Sequence, residues 1–295
     1  MPRIEISGIG IEYELLGDPG AHAVAITPGG RFSMQSAGIR ELGEALVAGG
    51  KRVLLWDRPN AGASDMHFAG ENESQLQAEV LTQLIRQLDL GPTAIGGGSA
   101  GSRCSLLAAA HDPEIVSHLL QWWITGGTIS LFMLGASYCC ESAVAARAGG
   151  MEAVASLPTW SEQLRRNPRN RDYLLAQDPE EFIRTMERWT SAFIPSAQSP
   201  VPGMSPADFE RLTMPVLIFR GGETDIWHPA ELSDWVHRLI PHSVLVEAPW
   251  PDEAPMQRLA AAVQTGTGQF LDWPLLAPRI LEFTSPPARA RGARR

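Results

Sequence analysis

A short apolar run, Thr93–Gly97, ends in Gly97-Gly98-Ser99-Ala100-Gly101 and passes straight into a helical stretch, Ala100–His111. Small residues on both sides of a serine permit a sharp strand-to-helix turn, where the backbone is crowded and the hydroxyl stands above a sheet. Ser99 is therefore the leading candidate nucleophile. Two blander readings of Gly96-Gly97-Gly98-Ser99 stand beside it: a tight connection and a phosphate cradle. No Walker lysine follows and no second Rossmann glycine is suitably spaced, which weighs against the cradle.

The flanking pattern says what sheet this is. Strands are expected at Met1–Gly8, Ile11–Leu16, Ala23–Thr27, Arg52–Trp56, Thr93–Gly97 and Val116–Ile124, and helices at Ile39–Ala48, Gln75–Leu88 and Ala100–His111. Gly49-Gly50 stops the first helix. Such alternation implies right-handed crossovers and an α/β fold with a doubly wound, mostly parallel sheet. From Thr128 to Pro206 the pattern turns helical, without a convincing strand, and closes in a Pro- and Ser-rich connector, Ile194–Gly203. We read this as an inserted helical cap. The sheet resumes with strand Pro215–Phe219, helix Ala230–Leu239, strand Ser243–Glu247 and a last helix Leu275–Phe283. The expected units are thus core 1–127, cap 128–206, core 207–283 and a disordered basic tail 284–295.

Composition excludes several classes. The 295 residues are 44% hydrophobic, ample for one packed α/β body. No run of eighteen apolar residues and no signal-like N-terminus are present, so neither a membrane span nor a membrane partner is expected. Three cysteines, with Cys139 and Cys140 adjacent, suggest neither a disulfide framework nor zinc; a cytoplasmic location is the simplest reading and no metal is expected. A net charge of −9 disfavours a nucleic-acid partner. Oligomeric state is not legible.

Four motifs in order resemble the α/β-hydrolase superfamily. They are Pro28-Gly29-Gly30-Arg31 after a strand, Asp57-Arg58-Pro59-Asn60-Ala61-Gly62-Ala63-Ser64-Asp65, the elbow at Ser99, and Gly221-Gly222-Glu223-Thr224-Asp225 with Pro229 beyond it. In the second, Asn60 stands where the family has its first glycine. The likeness covers nearly all of the chain outside the cap. It implies Ser99 as nucleophile, an oxyanion hole from the N–H of Ala100 and of Gly30 or Arg31, Asp225 as the acid, and no cofactor. A helix N-cap is the plainer reading of Asp225.

The family's base is a His after the last strand, before an acidic residue, a proline and the final helix. The segment Glu247–Glu253 holds no His, and the better match, Gly268-Gln269-Phe270-Leu271-Asp272-Trp273-Pro274, puts Gln269 at that place after an insertion of about Pro251–Gly266. Gln hydrogen-bonds but takes no proton near neutral pH. Three explanations stay open: a deliberately inactivated variant, a natural member using His228 or substrate-assisted chemistry, or a ligand-binding relative without turnover. His228 lies about one turn beyond Asp225 and is the alternative base; capping of the following helix is its other reading. The remaining histidines read as structural.

Large apolar groups crowd the cap and strand ends. Trp122, Trp123, Phe132, Trp160 and Trp189 are candidate substrate-binding residues, with core packing as the competing reading for each. Arg31 is a candidate partner for a substrate carboxylate or carbonyl, or else exposed. The arginines between Arg165 and Arg171 read as a solvated cap face. The expected function is hydrolysis of a small, largely apolar or aromatic carbonyl compound, cleaving an ester, lactone, amide or C–C bond through a serine nucleophile. The alternatives are a non-catalytic ligand-binding member, and lyase or cofactor-free oxygenase chemistry in the same pocket.

Overall fold

The structure, a computed structural model, describes residues 1–266 and 268–285. At its centre is an eight-stranded sheet in the order β1-β2-β4-β3-β5-β6-β7-β8. The strands are β1 Arg3–Ile6, β2 Ile9–Leu16, β3 Ala23–Thr27, β4 Arg52–Trp56, β5 Thr93–Ser99, β6 Val116–Ile124, β7 Val216–Phe219 and β8 Val244–Val246. The pairings of β2 with β1 and β4 are antiparallel, and every pairing from β4 across to β8 is parallel. The helices are α1 Ile39–Ala48, α2 Glu73–Gln87, α3 Ala100–His111, α4 Thr128–Gly135, α5 Glu141–Ala155, α6 Ser161–Arg166, α7 Arg169–Leu175, α8 Pro179–Ser191, α9 Pro206–Glu210, α10 Ala230–Leu239, α11 Ala254–Thr265 and α12 Ala277–Phe283.

The strands are apolar because helices cover both faces of the sheet. β3 and β7 are buried at every position. Side chains alternate along each strand and so divide between two cores. Val24, Ile26, Val53 and Leu55 pack with Ile39 and Leu46 of α1 and Ile280 of α12. Ala25, Leu54 and Ile95 face the other way, onto Leu84, Leu106 and Val236 of α2, α3 and α10. Each Leu or Ile taken fully out of water contributes about 1.5–3 kcal/mol. This two-sided wrapping is the doubly wound sheet expected above.

The cap is α4 to α8, with a core of its own built from Val154, Trp160, Phe182, Met186 and Trp189, joined by Met66 from below. Phe193 is the last cap residue in that cluster. Val201 and Met204 already pack into the sheet domain, so the cap ends before the expected boundary at residue 206. One helical stretch, Thr128–Ala155, has the length and mean hydropathy (1.4) of a membrane-crossing helix; Gly149 and Gly150 break its helical geometry. At the other end, the basic tail lies outside the described residues from 286 onward. Thr284, expected in that tail, instead belongs to the body: it is buried, and its carbonyl accepts from Lys51 Nζ at 2.9 Å.

The turn after β4 is held by the fully buried Asp57. Its carboxylate accepts from the N–H groups of Met34 (2.7 Å) and Ala63 (2.8 Å) and from the Ser33 hydroxyl (3.3 Å). Asn60 replaces a glycine without difficulty because its φ of 66° is one that Asn tolerates. Its side-chain oxygen also accepts from His67 N–H at 2.8 Å. Burial outweighs the donors around Asp57 and pushes its pKa up to about 6, from 3.8. The folded state therefore holds a proton that the unfolded chain releases at lower pH. Stability from this group is full below pH 3.8 and is lost as pH rises through 6. We expect Asp57→Asn to remove that falling limb from urea-unfolding free energies measured between pH 4 and 7; parallel profiles for both proteins would contradict it.

Candidate active site

β5 ends at Ser99 with φ 59° and ψ −121°, a conformation that costs a non-glycine residue energy and is kept where surrounding structure enforces it. The enforcement is close backbone packing. A Cβ on Gly97 would stand 2.5 Å from the Thr27 carbonyl oxygen, and one on Gly101 2.1 Å from the same atom. A Cβ on Gly29 would stand 3.3 Å from Ser99 Cβ, so the Pro28–Arg31 loop lies directly against the serine. Arg58 fixes the peptide planes of that loop by donating Nη2 to the carbonyls of Gly29 (3.2 Å) and Gly30. α3 starts at Ala100, placing a helix N-terminus beside the hydroxyl. Thr125 Oγ1 donates to Ser99 Oγ at 3.4 Å.

The loop after β7 carries the acid and an imidazole together. Asp225 Oδ1 accepts from the N–H groups of Trp227 (2.9 Å) and His228 (3.1 Å), an Asx-type turn. Its Oδ2 is 2.9 Å from His228 Nδ1. Burial alone would raise the Asp225 pKa; the His228 hydrogen bond and charge and the two N–H donors outweigh it and hold the carboxyl below its ordinary range. The N-cap of α10 is Pro229, so neither Asp225 nor His228 caps that helix. Trp123 lies flat on the imidazole, with centroids 5.5 Å apart and planes 12° from parallel.

Ser99, Asp225, His228, Gly30, Trp123 and Gln269 all border one cavity of about 230 Å³. Gln269 is half-buried on its wall and also borders a neighbouring groove of about 760 Å³. It comes only after α11. The segment directly behind β8 is structural: Trp250 packs against Trp123, and the Asp252 carboxylate accepts from the N–H groups of Glu223 (2.6 Å) and Thr224 (3.1 Å), bracing the acid loop.

Four of the aromatic candidates are elsewhere. Trp122 is buried beneath Gly98 and packs edge-on to Trp273. Trp160 and Trp189 form the cap core, donating Nε1 to Ser142 Oγ and to the Gly70 carbonyl. Phe132 is 60% exposed on the outside of α4. Arg31 is neither exposed nor available to a substrate. Its guanidinium is paired with both Glu73 oxygens at 3.1 Å and lies 3.9 Å from the centre of the Trp160 ring. What the sequence reading missed is Phe32, Tyr138 and Trp227, together with Met256 and Leu259 of α11. The i, i+3 spacing of Met256 and Leu259, just ahead of Gln269, was the available signal.

No family model matches the chain. A 2-hydroxy-6-oxononadienedioate/2-hydroxy-6-oxononatrienedioate hydrolase of Escherichia coli (strain K12 / DH10B) is 34% identical over 89 residues, 30% of this chain and 31% of that protein. The chain thus matches under a third of the length of this curated relative. Among solved structures, an alpha/beta hydrolase fold protein from Chitinophaga pinensis superposes with a TM-score of 0.61 at 16% identity, covering 96% of each chain. The enol-lactonase of Burkholderia xenovorans LB400 gives 0.55 at 18% identity, over 90% of this chain and 98% of that one. A thermophilic esterase from Thermogutta terrifontis gives 0.54 at 19%, over 90% and 98%. The chain has the α/β-hydrolase fold.

Proposed function

We propose that this chain hydrolyses a small, largely apolar ester or lactone, with Ser99 as nucleophile and His228, oriented by Asp225, as the general base. The observation that carries this reading is the 2.9 Å contact between His228 Nδ1 and Asp225 Oδ2, with the imidazole and Ser99 on the walls of one cavity. With Nδ1 engaged by the carboxylate, Nε2 is left to receive the Ser99 proton as Oγ attacks the carbonyl carbon. The N–H groups of Ala100 and of Gly30 or Arg31 stabilise the oxyanion. The imidazolium, itself stabilised by Asp225, protonates the departing alkoxide. Water then attacks the acyl-enzyme with His228 again as base. Gln269, unable to take the proton, orients substrate or water at the mouth.

The cavity wall argues for an uncharged acyl portion. Apart from Asp225 and His228, its bordering residues carry no charge, and Phe32, Leu134, Tyr138, Met256 and Leu259 supply an apolar surface. Among the described residues no arginine borders it, so a dioate such as the one named for the curated relative would lack a cationic partner there; Arg165 and Arg166 border only the adjoining groove. The groove beyond Phe32, Leu259 and Gln269 gives a longer leaving group somewhere to lie.

A fluorophosphonate probe tests the nucleophile. We expect stoichiometric labelling of the wild-type chain and none of Ser99→Ala, alongside hydrolysis of short p-nitrophenyl esters. An unlabelled wild-type protein would instead favour a ligand-binding member of the fold.

A further inference from the structure

Three arginines lie buried where the cap meets the sheet domain, and one of them has two nitrogens with no hydrogen-bond acceptor among the described residues. Arg31 is paired with Glu73, and Arg58 donates to Gln77 and to two carbonyls. Arg103, one turn into α3 from Ser99, is 4% exposed, and its Nε and Nη1 are buried without any hydrogen-bond acceptor. Its recorded contact is with the ring of Phe193, at 4.7 Å. A guanidinium cannot shed its charge in a protein. Burying it unpaired is costly, and a ring face supplies no acceptor for its N–H groups. Glu73 is near enough to interact electrostatically, but both of its oxygens are engaged by Arg31.

A small cavity opens in front of Arg103. It has a volume of about 10 Å³ and is bordered by Arg103, Phe193, the N-cap Asn72 and the first two residues of α2, Glu73 and Ser74. α2 is fifteen residues long, and the leading N–H groups of a helix have no partner within it and favour negative charge. Asn72 Oδ1 takes the N–H of Gln75 (2.8 Å), leaving those of Glu73 and Ser74 to any group in the cavity. Such a volume holds about one water-sized group. A second cavity, of about 310 Å³, shares Asn72, Ala192 and Pro202 with the first and gives a route in.

We propose that Arg103 and the N-terminus of α2 form an anion site. It accepts a small singly charged group, either a free inorganic anion of chloride size or the carboxylate end of a small molecule whose body lies in the larger cavity. Occupancy joins α3, which carries the nucleophile at its head, to the end of the cap at Phe193. The site therefore stabilises the join between cap and sheet domain without touching the reacting atoms. It does not rest on the hydrolase assignment, and its readout is melting temperature.

The test compares melting of the full chain at constant pH and ionic strength, with a bulky sulfonate as reference anion, as chloride, formate, acetate or butyrate replaces it. At about a hundred times the dissociation constant we expect a rise of about 5 °C, absent in Arg103→Met and reached only at higher concentration in Arg103→Lys. A rise with chloride alone assigns a free inorganic anion. A response strengthening from formate to butyrate assigns the carboxylate of a small molecule. The proposal is overturned if no anion raises the melting temperature in proportion to the logarithm of its concentration, or if the rise persists undiminished in Arg103→Met. Ser99→Ala should respond as wild type, which separates this result from any failure of the catalytic reading.

Discussion

Replacing His228 with Ala is expected to lower kcat for a short p-nitrophenyl ester by about 10²–10⁴-fold with little change in KM, and to slow fluorophosphonate labelling in parallel. Replacing Gln269 with Ala should cost less than about tenfold, as loss of a positioning contact does, and Gln269→His should bring no large gain. The contrast follows from the bonds each side chain makes. His228 has its Nδ1 on a buried carboxylate that is anchored by two backbone N–H groups, so its tautomer and tilt are set before substrate arrives. Gln269 stands on a segment that follows α11 and borders the same cavity from its outer side. Circular dichroism and melting should show His228→Ala folded. If Gln269→His raised turnover by orders of magnitude while His228→Ala left the wild-type rate intact, the base assignment would be wrong and an inactivated enzyme the better description.

Gly101→Ala should destabilise the chain by about 3 kcal/mol or more, and its sign is the informative part. Gly101 lies in α3, where Ala is ordinarily about 1 kcal/mol better than Gly. Helix propensity alone therefore predicts a more stable protein. The added methyl, however, would stand 2.1 Å from the Thr27 carbonyl oxygen and 2.7 Å from that of Pro28. Both are backbone atoms at the end of β3, and neither can rotate away. Relief means pushing the Pro28–Arg31 loop off the elbow, so labelling of Ser99 should fall even in the molecules that remain folded. Gly43→Ala in α1 is the control, since its nearest neighbour would be a Leu55 methyl at 3.4 Å; there the propensity gain should survive. Equal melting temperatures for Gly101→Ala and wild type would show that the elbow is looser than its geometry implies.

Much of the sheet was legible because glycines and prolines mark its edges. β3, β4, α1, α3, β6 and α10 begin and end where their sequences say they should. The wall of the site was harder to read. Trp122 and Trp123 are adjacent in β6, and period-two reasoning cannot say which faces the cavity. The pairing of β5 with β6 skips Trp123, with Gly98 opposite Trp122 and Ser99 opposite Ile124. The resulting irregularity gives Trp123 a φ of 49° and re-aims its ring at His228. Trp160 and Trp189 misled for a different reason: an inserted helical unit needs a core of its own, and its largest apolar residues go there first. Arg31 could be assigned only once Glu73 was known to face it across the fold. For His228 the spacing from Asp225 was visible, but the meeting of Nδ1 with the carboxylate depends on the Asx-type turn between them, which no periodicity reports.

Asp225 and His228 come from one short loop, three residues apart, whereas the α/β-hydrolase pattern places the acid and the His after two different strands. On the proposed mechanism the proton-handling pair therefore sits within one loop. Insertion, deletion or drift behind β8 does not pull its halves apart. On the proposed mechanism α11, with Met256 and Leu259 on the pocket wall, takes no part in proton transfer and can vary with the acyl group. For an engineer the positions to randomise first are Met256 and Leu259 of α11, leaving in place Trp250, which packs on Trp123, and Asp252, which braces the loop of Asp225 and His228.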